Sequence, residues 1–225
     1  MEAFTVIEHI LRNRKGFFDE IRSSNEISTK IRDMLISSIS FFALYGAVMG
    51  SSNSALQALS SAIKLPILFL ITLIICLPTL YFFNLFFGSR LTLPQTLALI
   101  LTAITVTAVL TLSFAPISLF FWLTAPHYQF FKLLNVAVFT LTGFFGLTFL
   151  VSGMSHVQQE DKRTARSFIL RMWIFVYGFV GTQMAWTLRP FFGAPWLPFQ
   201  IFRQLSSNFY VDVLGSIWEI LTSIR

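Results

Sequence analysis

Residues 65–88 read LPILFLITLIICLPTLYFFNLFFG, a run of twenty-four without one charged side chain. A hydrocarbon core about 30 Å thick takes roughly 20 apolar residues as a helix, so this stretch is long enough to cross a bilayer unaided. Pro66 suits a first helical turn. Pro78 is internal, and it should kink the helix unless a neighbour satisfies the freed carbonyl.

The same character extends outward in both directions. Between Asp33 and Glu160 there is no acidic residue, and the only charged side chains are Lys64, Arg90 and Lys132. The 225 residues are 55% hydrophobic and 16% aromatic, with a mean hydropathy of +0.72. Charged residues make up 12% of the chain, against about 25% in soluble domains. These figures exclude an ordinary soluble domain, a disordered chain and a coiled coil. The net charge of +6 reflects few acids rather than a dense basic stripe, so no nucleic-acid partner is expected. The expected fold is an all-α, polytopic integral membrane bundle of about five transmembrane helices, with amphipathic helices at both ends.

Three regions follow. Residues 1–30 carry too many acids for a cleavable signal but hold a helical stripe of Phe4, Ile7, Leu11, Phe18 and Ile21, read as cytoplasmic or interfacial. Residues 31–189 form the bundle, with spans at about 34–50, 65–88, 95–115, 133–153 and 168–188. The short Gly88-Ser89-Arg90 connection predicts that spans two and three are an antiparallel hairpin. Residues 117–125 continue span three past Pro116, or lie in the interface held by Trp122. Residues 190–225 form an interfacial tail. Within it, 208–225 read as an amphipathic helix with Asp212, Ser216, Glu219 and Ser223 on one face, and with Ile217 and Leu221 on the face expected to dock.

Orientation follows the bases. With the N-terminus inside, the inner side holds Arg12, Arg14, Lys15, Arg22, Lys30, Arg32, Arg90, Lys162, Arg163, Arg166 and Arg171, eleven in all; Lys64, Lys132, Arg189, Arg203 and Arg225, five, lie outside. The positive-inside rule then predicts a cytoplasmic N-terminus and an outer C-terminus, in a bacterial inner (plasma) membrane.

Chemistry is sparse. No carboxylate falls within the five spans, and His9, His127 and His156 show no metal-ligand spacing. Gly153-Met154-Ser155-His156 superficially resembles a nucleophile turn, but residues adjacent in sequence are not positioned against each other for catalysis. No phosphate-binding glycine motif occurs, and the single Cys76 makes neither a disulfide nor a metal site. No catalytic, cofactor or metal residue is therefore assigned. The polar groups at depth are Asn84, Gln183 and the threonines of span three, Thr96, Thr102, Thr105, Thr107 and Thr111. Their default role is hydrogen bonding within or between helices.

Small residues mark packing surfaces: Ala43, Gly46, Ala47 and Gly50 in span one, where Gly46 and Gly50 form a GxxxG, and Gly178 and Thr182 in span five. The span exit 186–196, with Arg189 and Trp196, is a shaped interfacial anchor suited to partner contact. The charged 160–166 loop reads as a solvated inner connection, or as a docking site for anionic headgroups or a cytosolic partner.

The hairpin from Pro66 to Ala115, with Asn84-Leu85-Phe86-Phe87-Gly88 at its turn, and the five-span plan resemble Yip1-type membrane proteins over about half of the chain. That resemblance implies a non-enzymatic membrane organiser or adaptor. The expected function is a non-catalytic accessory subunit, with other membrane subunits or a second copy as partners beside the bilayer. The alternative is a small permease or channel component lined by spans two and three.

Overall fold

The computed structural model describes residues 3–86, 91–124, 127–157, 163–194, 197–204 and 207–223. The 88–90 connection is outside these, as are 158–162, Trp196 and the last two residues. Among the described residues every regular element is an α-helix: α1 (Ala3–Arg12), α2 (Arg14–Arg22), α3 (Ile27–Gly50), α4 (Ala55–Phe86), α5 (Leu93–Ser113), α6 (Ala115–Thr124), α7 (Tyr128–Val157), α8 (Arg163–Thr187) and α9 (Phe209–Ser223).

Among the described residues four helical stretches are long and apolar enough to cross a membrane: Ile27–Gly50, Ala55–Phe86, Leu93–Thr124 and Tyr128–Val157. The third joins α5 to α6 across Phe114, so 117–124 continue span three past the Pro116 bend. α8, with 25 residues, is not among these four. Leu44, Ile63, Ile74, Phe82 and Phe120 are all exposed. Large side chains exposed in this way along apolar helices suit lipid rather than water.

The long helices pack as an open arc in the order α8, α4, α3, α5, α7, with α9 set against both α7 and α8. The expected hairpin of spans two and three is corrected here. α3 packs on both α4 and α5 far more extensively than those two pack on each other. Small residues make α3 the wedge. A methyl group placed on Gly46 or Gly50 would strike the carbonyl oxygens of Ser61 and Gln57 on α4, so the GxxxG brings two backbones of this same chain together. On the other side, the Ser38 and Thr105 hydroxyls bond at 3.0 Å.

α4 starts ten residues before the expected Leu65, because Ser54 Oγ accepts the Gln57 N–H at 3.1 Å and starts the helix. Both prolines therefore lie inside one continuous helix. Near Pro78, Trp173 of α8 donates its indole N–H to the Cys76 carbonyl at 3.0 Å. That fully buried ring ties α8 to the proline turn.

The N-terminal helices fold onto the bundle. Their buried residues are Val6, Ile10, Phe17, Phe18 and Ile21, whereas Leu11 is 49% exposed, which corrects the expected stripe. The cause is a break at Asn13, whose side chain caps α2 by accepting from Gly16 N–H. The two short helices thus present separate faces. Gln95, at the start of α5, completes a capping box with Thr92. Its amide also donates to the Ile21 and Arg22 carbonyls at 3.2 and 3.0 Å, satisfying the end of α2.

At the other end of the chain the expected face of α9 is reversed. Asp212 accepts from Lys132 Nζ at 2.8 Å, Glu219 accepts from Gln129 at 2.6 Å, and Ser216 is buried. Ile217 and Leu221, expected to dock, are 40% and 60% exposed. The polar face meets α7 because Lys132 and Gln129 there supply donors, and the apolar face is left outward.

Candidate functional site

α7 and α8 are consecutive in sequence, yet they do not pack along their length. The space between them is a groove of about 640 Å3, within the roughly 300–1,000 Å3 of small-molecule sites. α4 and α5 form its floor with Leu65, Leu68, Phe69, Ile100, Ala103, Ile104 and Thr107. α7 contributes Val136, Phe139, Thr140, Gly143, Phe144 and Leu147, and α8 contributes Trp173, Ile174, Tyr177, Gly178, Gly181 and Thr182. Phe144, Phe175 and Phe179 line it and are themselves exposed. The groove therefore opens sideways, toward the surface that faces lipid.

Its width comes from residues that keep the walls apart. Tyr45 of α3 bonds Ser118 of α6 and Asn135 of α7, both at 2.9 Å, and so holds α7 to the α3 side. Thr111 and Thr142 hydroxyls join α5 to α7 at 3.0 Å, and Gly146 lets α7 approach the Ala103 carbonyl. Trp173 holds α8 to α4. Each wall is fastened to the floor, and α9 bridges the two at one end.

One end of the groove is polar. There it meets Tyr128 and Lys132 of α7, Arg189 and Arg203 of the segment after α8, and Tyr210 and Asp212 of α9. The Arg203 backbone N–H donates to the Arg189 carbonyl at 3.1 Å, which brings the two backbones together. Arg189 lies over the Trp186 ring, 3.4 Å from its centroid, and donates to the Gln204 carbonyl at 2.6 Å. Burial lowers the Arg189 pKa, with Asp212 opposing the shift and Arg203 adding to it. The Nε atoms of both arginines are buried with no hydrogen-bond partner among the described atoms. Asp212 is already paired with Lys132.

The segment carrying these arginines is pinned from α4. Gln57 donates to the Pro190 carbonyl at 3.0 Å, Ser61 donates to the Phe191 carbonyl, and Lys64 donates to the Pro190 and Ile201 carbonyls. Lys64 thus serves as a backbone tether in the bundle, a role its isolated charge in the sequence did not disclose.

The small positions singled out in the sequence divide. Gly46 and Gly50 face α4, and Ala43 and Ala47 are partly buried beside them. Gly178 has no protein atom within 4 Å of an added methyl, so it borders the groove where a helix contact was expected. The reason is that α7 does not close on α8. Thr182 bonds the Tyr210 hydroxyl at 3.0 Å, joining α8 to α9. Trp196 is outside the described residues. The threonines of α5 turn back on their own helix, Thr102 to the Ala98 carbonyl, Thr105 to Leu101 and Thr107 to Ala103, each at 2.8 Å. Ser155 likewise bonds Val151 while His156 contacts Asp19 at 2.8 Å, so the two are not aimed at one another. No group of three or more metal-ligating side chains forms among the described residues.

No family model, curated protein or solved structure matches this chain.

Proposed function

We propose that this chain is a non-catalytic, five-span membrane protein that holds the hydrocarbon part of a bilayer amphiphile in the groove between α7 and α8. α8 supplies the fifth span, the N-terminus lies inside and the C-terminus outside, and the proposed location is an inner membrane. The carrying observation is the sideways opening: an apolar slot of about 640 Å3 with one polar end has the shape and polarity of a lipid. A slot that opens toward hydrocarbon fills by lateral diffusion, without passage through water.

Such a protein acts as a lipid-binding accessory component, and the Yip1-type likeness agrees with this through the five-span plan. The permease reading remains the alternative, and it is less favoured because Thr102, Thr105 and Thr107 bond their own backbone. The GxxxG of α3 is occupied by α4 of the same chain, so partner contact through that face is not proposed.

Native mass spectrometry of the chain in mild detergent tests the reading. Gly143 and Gly178 line the groove and have open space around an added methyl, so Gly143→Trp and Gly178→Trp put a large ring into it from positions where the side chain starts without a clash. The wild-type chain should retain lipid adducts, and both variants should lose them while eluting as the same folded species. Retention unchanged by either substitution would remove the groove as the lipid's place.

A further inference from the structure

We infer that the polar end of the groove is a headgroup site selective for an anionic phospholipid, with Arg189 and Arg203 as the residues that engage its phosphate. This rests on the groove reading above and goes further by naming the lipid class. Charge complementarity carries it. Two guanidinium groups and the Lys132 ammonium meet at this end, against the single carboxylate of Asp212 lining the groove. Lys132 and Asp212 neutralise each other at 2.8 Å. Glu219, farther along α9, is engaged by Gln129 at the exposed surface. Among the described residues neither arginine forms an ion pair, and Asp212 acts on Arg189 only at longer range.

Their geometry suits a phosphate. The hydrogen bond between their backbones brings the two residues together at this end of the groove, which both of them line. Guanidinium donors form a planar fork that matches a phosphate oxygen pair. Stacking on Trp186 and the bond from Nη2 to the Gln204 carbonyl fix the plane of Arg189, which leaves Nη1 as its donor toward a ligand. A zwitterionic lipid offers the same phosphate but brings its own cation, which would sit among like charges. An acidic lipid brings none, so it supplies the missing negative charge, and its chain continues from the arginines into the slot between Ile174 and Phe139.

The test offers the purified full-length chain phosphatidylglycerol and phosphatidylcholine of identical acyl chains, and reads occupancy by native mass spectrometry. The wild-type chain should prefer phosphatidylglycerol by about tenfold or more, the ratio that one charge-assisted hydrogen bond supports. Arg189→Gln with Arg203→Gln should abolish the preference while phosphatidylcholine binding stays constant. Arg203→Lys should keep part of it, and Arg171→Gln, an exposed α8 position away from the groove, should keep all of it. Equal binding of both lipids to the wild type, sensitive to Gly178→Trp, would overturn the headgroup assignment and leave the groove reading intact. This comparison needs no arginine variant to fold. Equal loss of both lipids in the double arginine variant would also overturn it, since that marks a structural role. Binding of neither lipid in a groove-dependent way would overturn the groove reading itself, and the headgroup site with it.

Discussion

Gly46 and Gly178 belong to the same residue type in similar apolar surroundings, yet their structural roles differ. An added methyl on Gly46 meets the backbone of α4, and on Gly178 it meets nothing within 4 Å. Gly46→Leu should therefore force α3 and α4 apart and destabilise the bundle by at least about 1–3 kcal/mol, the usual range for overpacking. Gly178→Leu should be close to neutral. Thermal unfolding in detergent distinguishes them, and equal losses at the two sites would contradict the packing described. The spacing of Gly46 and Gly50 announced a close contact but not its partner, because GxxxG is equally suited to another chain and to another helix of its own. Gly178 was less legible still. Whether a small residue faces a helix or a void depends on how distant elements hold their walls, here Trp173 on one side and Tyr45 on the other.

At the scale of elements, α9 is the case where the pattern was read with the wrong face inward. The periodicity of Asp212, Ser216 and Glu219 was legible, and their shared face is real. Its direction was not, because in lipid the apolar side of a helix turns outward and the polar side seeks donors within the protein. Lys132 and Gln129 on α7 provide those donors. The Lys132 and Asp212 side chains are only 13% and 34% exposed, so their coupling should exceed the roughly 0.2–1 kcal/mol of exposed ion pairs. A double-mutant cycle of Lys132→Met and Asp212→Asn, read by protease resistance of α9, should show each single change loosening the helix. The pair together should restore much of the resistance. Ile217→Ser with Leu221→Ser should leave protease resistance in detergent nearly unchanged. The opposite ranking would place the apolar face in the contact after all. The lengths of α3, α4 and α7 were underestimated for a related reason. Helix extensions beyond the hydrocarbon, such as 27–33 and 55–64, are held by caps and tertiary contacts that hydropathy does not register.

At the scale of the whole molecule, the open arc from α8 to α7 places two consecutive helices at opposite ends of the packing order. Composition made the helical, membrane-embedded class legible from the first charge-free run, because charge is costly at bilayer depth whatever the topology. The arc was not legible, since short connections favour adjacent packing and α3, inserted between α4 and α5, overrides that preference through its small residues. The five-span plan makes its own prediction. In a Cys76→Ser background, single cysteines at Ser24 and Ser155 should react with an impermeant thiol reagent from the inner side, and one at Ser207 from the outer side. Labelling of Ser24 and Ser207 from the same side would refute it.

The groove itself is tested most directly in the native membrane, with a phospholipid carrying a photoactivatable group at mid-chain and peptide mapping of the adducts. Lipid outside the bundle reaches Leu44, Phe82 and Phe120, which are exposed, but not Ile100, Ala103 and Ile104, which are buried on the floor formed by α5. A lipid chain seated between α7 and α8 should label those floor residues as well as the outer belt, and Gly178→Trp should remove the floor labelling alone. Adducts confined to the outer belt in the unaltered chain would show that no lipid enters the groove.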